Sequence, residues 1–77
     1  MSTSTKQQGT EFKQRREAVG LSQYEVSTRS GIARNRLSLF ECGYAPLREE
    51  ELSAAERALQ DAVREKRQTL DALLATA

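Results

Sequence analysis

Leu21-Ser22-Gln23-Tyr24-Glu25-Val26-Ser27-Thr28-Arg29-Ser30-Gly31-Ile32-Ala33-Arg34-Asn35-Arg36-Leu37-Ser38-Leu39-Phe40-Glu41-Cys42-Gly43 reads as two short helices joined by a tight turn. Ser22 and Glu25, three apart, have the spacing of a capping box: the hydroxyl accepts from the Glu25 amide and the carboxylate accepts from the Ser22 amide. Leu21 and Val26 flank it as a hydrophobic staple. The helix that follows should end near Ser30. Gly31 supplies a left-handed backbone there, Ile32 re-enters the core, and the next helix runs from about Ala33 to Cys42, closed by Gly43. Leu37 and Phe40, three apart, point inward with Phe12, Val19, Leu21, Val26 and Ile32, and Arg34, Asn35, Ser38 and Leu39 are left toward the other side.

On the N-terminal side, Thr10 is a candidate cap, Glu11 lies in a first turn, Phe12, Arg16 and Val19 share a face, and Gly20 stands where a helix would stop. A first helix over about Thr10 to Val19 is expected, with residues 1–9 as a disordered tail because they lack periodic apolar positions. On the C-terminal side no Gly or Pro interrupts the chain from Arg48 to Ala77. One helix of up to ~28 residues and ~42 Å follows at 1.5 Å per residue. Leu52, Ala55 and Leu59 close the core. Beyond them Val63, Lys66, Leu70, Leu73 and Ala77 follow alternating spacings of 3 and 4, interrupted by the charge of Lys66 and with Leu74 beside them, as a short imperfect coiled-coil seam suited to dimerisation. The expected division is a tail over 1–9, a helical body over 10–59 and a helical extension over 60–77.

The chain has 77 residues, 30% of them charged and 38% hydrophobic, with one Cys, one Pro and neither His nor Trp. A core this small has little net stability without disulfides, a metal or a partner subunit. One Cys42 and no His give neither a disulfide nor a metal site, so an all-α chain that packs efficiently or self-associates is expected. No phosphate loop, nucleophile with its base, or ligand cluster is present, so neither an enzyme nor a cofactor is expected. The polar start is unlike a secretory signal, and no stretch nears the ~18 apolar residues of a membrane span. A cytoplasmic location is the corresponding expectation, with no membrane partner. Net charge is +1, but residues 1–44 hold seven Lys/Arg against four acids and residues 45–77 five against seven. A basic front and an acidic rear suggest a polyanion-facing surface joined to a packing element.

The run from Phe12 to Gln23, with Val26, Ser27, Ser30-Gly31-Ile32, Leu37, Phe40-Glu41 and Gly43, resembles the phage repressor and Cro-like (XRE) helix-turn-helix family over roughly residues 10–59. The resemblance implies a repressor-like all-α bundle with an extended C-terminal helix, whose third helix enters the major groove of double-stranded DNA. It makes Arg34, Asn35, Ser38 and Leu39 the candidate base readers: a guanidinium forks onto guanine, an amide pairs with adenine, and Leu39 could meet a thymine methyl or a dimer partner. Gln23 at the head of helix 2 is implied as a phosphate contact, with Arg16, Arg36, Tyr24 and Tyr44 as further candidates. Arg36 either tracks phosphates or is solvated, and each tyrosine either offers its hydroxyl to a phosphate or packs on a neighbouring helix. Arg16 and Glu41 occupy places that form a structural ion pair in this family. Ala33 departs from the usual Ser or Thr cap and forgoes ~1 kcal/mol.

The function expected is a sequence-specific regulator, a repressor before an activator, that binds an inverted repeat as a homodimer. The alternative is an antitoxin-type DNA-binding protein whose C-terminal helix grips a partner toxin, and a third is an interaction module that no longer binds DNA.

Overall fold

The computed structural model describes residues 4–75, which form α1 (Thr5–Val19), α2 (Gln23–Ser30), α3 (Arg34–Glu41) and α4 (Glu49–Ala75), with no strand among them. The chain is all-α. Packing brings α1 chiefly against α3 and α2 against α4. Phe12, Leu21, Val26, Ile32, Leu37, Phe40, Ala55 and Leu59 make the core, and Phe12 and Phe40 meet at tilted rings 6.2 Å apart. Leu47, just ahead of α4, is buried in the same cluster.

The first helix starts five residues earlier than Thr10. Ser4 is its cap and accepts from the amide of Gln7 at 3.2 Å. Part of the expected tail is thus helical, and residues 1–3 lie outside the described residues. The reason is tertiary. Gly9 is buried against the end of α3, where a β-carbon would overlap the carbonyl oxygen of Phe40 and lie 3.0 Å from the Cα of Glu41. A glycine, ordinarily unfavourable within a helix, allows backbone to rest on backbone and so holds the early turns of α1 in place.

Past residue 59, α4 stays in contact with the body. Ala62 is buried in the core cluster, Glu65 pairs with Arg29 of α2, and the Lys66 ammonium donates to the carbonyl of Val19 at the end of α1. A cation at that helix end satisfies an orphan carbonyl and complements the macrodipole. Lys66, which interrupts the apolar seam in sequence, is therefore a clasp between α4 and the body. The body engages α4 as far as Lys66, and the helix runs on beyond it for about 13 Å.

Candidate nucleic-acid interface

The turn between α2 and α3 is held by its own side chains. The Ser22 hydroxyl accepts from the Glu25 amide at 3.1 Å, and the Glu25 carboxylate accepts from the Ser22 amide at 3.3 Å. Gly31 has φ 78°, a left-handed conformation that a β-carbon would strain. Ser27 donates to the Ile32 carbonyl at 2.6 Å, and the Ser30 oxygen accepts from the Ile32 amide at 3.2 Å. Ser27 thus ties α2 to the residue that re-enters the core after the turn.

Helix α3 buries Leu37, Phe40 and Glu41. Outside that buried set, Arg34, Asn35 and Leu39 are exposed and Ser38 is half-buried, so these side chains lie away from Leu37 and Phe40. Ala33 caps α3 with no side-chain hydrogen bond. Tyr24, in the first turn of α2, and Tyr44, in the loop after α3, are 66% and 81% exposed. Neither ring is packed away among the described residues. Lys6 lies beside that loop: a β-carbon at Gly43 would come within 2.9 Å of its Cα. Reading residues 1–9 as a tail hid this, although Ser4 ahead of Lys6, Gln7 and Gln8 is a legible helix start.

Two arginines of the expected phosphate-contacting set are paired with carboxylates of the protein itself. Arg16 is 8% exposed. Its Nε and Nη2 each donate to Glu41 at 2.9 Å, and Nη1 donates to the Leu21 carbonyl at 2.7 Å. The Glu41 hydrogen bonds raise its pKa above the ordinary arginine value despite burial. All three nitrogens act inside the protein, so Arg16 is structural. Arg36, half-buried, donates from Nη2 to Glu51 at 2.7 Å, while its Nε is buried without a hydrogen-bond partner. The same Glu51 oxygen accepts from the Arg48 amide at 2.9 Å, so Arg36 ties α3 to the start of α4.

Gln23 is pinned too. Its Nε2 donates at 3.1 Å to the Glu41 oxygen that also receives Arg16. Glu41 thus binds the first turn of α2 to α1 through one carboxylate, and this orients the head of α2 beside the outward face of α3. A family model described as helix-turn-helix matches residues 12–60 of this geometry, well over half of the chain. The chain belongs to the XRE-type helix-turn-helix family. It is a DNA-binding transcription regulator, and its partner is double-stranded DNA. The XRE-type family is one of regulators and not typically of enzymes. Neither a curated protein nor a solved structure matches the chain. No described helix is long and apolar enough to cross a membrane.

The expected seam residues Val63, Leu70, Leu73 and Leu74 are all exposed, between 40% and 75%. Val63 borders an open apolar groove of 340 Å³ between α1 and α4, lined also by Arg15, Ala18, Val19, Leu59 and Gln60.

Proposed function

We propose that this chain is a sequence-specific repressor that binds an inverted-repeat operator as a homodimer. The reading rests on one observation: Arg34, Asn35 and Leu39 are exposed on α3, with Ser38 half-buried between them, away from the core residues Leu37 and Phe40. An α-helix presenting such side chains fits the major groove, where a guanidinium forks onto guanine O6 and N7 and an amide onto adenine N6 and N7. Ser38 reaches either base type and Leu39 meets a thymine methyl. Phosphates are held by the amides at the head of α2 together with Gln23, Tyr24 and Tyr44, which set register without reading sequence. Lys6 adds a cation beside Gly43, in the loop after α3.

Repression needs only occupancy of a promoter. The homodimer rests on the exposed seam of α4, which extends past the part of the helix that the body covers. The same exposed leucines are what would support an antitoxin-type protein with a toxin on α4, and self-association of the purified chain decides for the homodimer. Selection of sites from a random duplex library tests the whole reading. An enriched palindromic pair of half-sites is expected, and binding without sequence preference would overturn it.

A further inference from the structure

The α1–α4 groove and the leucines at the tip of α4 are complementary surfaces that one molecule cannot bring together. Leu74 lies eleven residues beyond Val63, about 16 Å along a continuous helix. Exposed apolar patches of this kind mark interaction sites. We infer that two copies of the chain pair through antiparallel α4 helices, the leucine tip of each seated in the α1–α4 groove of the other; this rests on the homodimer reading above.

The register follows from the stripe Val63, Arg67, Leu70, Leu74, which recurs at spacings of four and three. Placing Val63 opposite the second copy's Leu74 puts Arg67 opposite its Leu70, and the two-fold repeats both layers. The Arg67 stem lies over leucine while its charge reaches solvent. In this register the flanking Arg64 faces the second copy's Asp71, twice by symmetry. Arg64 is held only weakly in its own helix, at 3.8 Å from Asp61 with both side chains exposed. A parallel pairing does the opposite. It sets Arg67 against Arg67 inside the seam and leaves each groove facing another Val63, with no leucine tip to fill it. Like charges directly opposed disfavour that arrangement.

The antiparallel crossing falls midway between residues 68 and 69. The midpoints of the two segments covered by the bodies, Glu49 to Lys66, then stand about 33 Å apart. Half-sites one turn of DNA apart require about 34–36 Å. The separation of the two bodies along the paired helices is thus of the order of one turn of DNA.

Cross-linking in the full chain tests this, with Cys42→Ser to remove the native thiol. Sedimentation comes first: a chain that stays monomeric at tens of micromolar overturns the homodimer reading and this pairing with it. For a dimeric chain, Val63→Cys and Leu74→Cys variants are mixed, unfolded and refolded together, and oxidised. Efficient disulfide formation between the two variants is expected, with little within either alone, because like positions lie about 16 Å apart across the two-fold. Self-linking of Val63→Cys, or no mixed link, overturns the antiparallel register and leaves homodimerisation standing. Charge exchange gives an independent reading. Arg64→Glu or Asp71→Arg alone should weaken the dimer about tenfold, and together they should restore it to within about threefold. Residues seven apart do not touch within one helix, so rescue reports the second copy. Additive losses would overturn the Arg64–Asp71 pairing.

Discussion

Gly9 and Phe40 are in backbone contact: a β-carbon on Gly9 would overlap the Phe40 carbonyl oxygen and lie 2.9 Å from its carbonyl carbon. No flexible side-chain end can yield there, because both partners belong to helix backbones. Gly9→Ala should therefore destabilise the protein by about 2 kcal/mol or more, although alanine favours an isolated helix by about 1 kcal/mol over glycine. Urea unfolding measures it. A midpoint equal to or above that of the parent would show that α1 does not rest on α3 in this way.

Glu41 receives Arg16 twice and Gln23 once. Removing it leaves a buried guanidinium without its counter-charge, so Glu41→Ala should cost about 3 kcal/mol, well above the cost of breaking an exposed pair. Arg15→Ala, which breaks the exposed Arg15–Glu56 pair, is the comparison and should cost below about 1 kcal/mol. Equal midpoints for the two variants would contradict the buried network.

A chain ending at Gln60 loses the buried Ala62 and the Glu65 and Lys66 ties, whereas one ending at Gln68 keeps all three. Both should lose self-association. Only the longer should unfold near the parent's denaturant midpoint, with the shorter falling by about 2 kcal/mol. Sedimentation and urea unfolding on the same samples separate the two functions of α4.

Arg34 and Arg36 should part in binding experiments. Arg34→Ala is expected to relax preference at one position of each half-site, at about 1–3 kcal/mol per contact. Arg36→Ala should lower stability, since Arg36 bridges α3 to Glu51, and leave both base preference and the salt slope near those of the parent. Affinities on operator and random duplex at two salt concentrations check both. An equal loss on both duplexes for Arg34→Ala, with a shallower salt slope, would mean a phosphate contact instead.

The capping box at Ser22 and Glu25, the left-handed turn at Gly31 and the split of α3 into a buried Leu37–Phe40 side and an outward Arg34–Leu39 side were all legible in the sequence. Each depends on neighbours within about one helical turn, and periodicity reports that range directly. The length of α4 was legible for the same reason: nothing between Arg48 and Ala75 breaks a helix. Only the tertiary structure decided what the long and the very small residues do. A helical wheel places Arg16 on the core side of α1, but its full set of internal hydrogen bonds follows from Glu41 arriving from α3 and the Leu21 carbonyl from the next turn. Arg36 borders the outward face by sequence and is drawn to Glu51 because α4 begins within its reach. Lys66 looks like a break in an apolar seam until the end of α1 lies beneath it. Gly9 looks like tail until the backbone of α3 rests against it. Long side chains choose among partners far apart in sequence, and a glycine's missing atom matters only where another backbone approaches. Both therefore depend on how the helices are packed together.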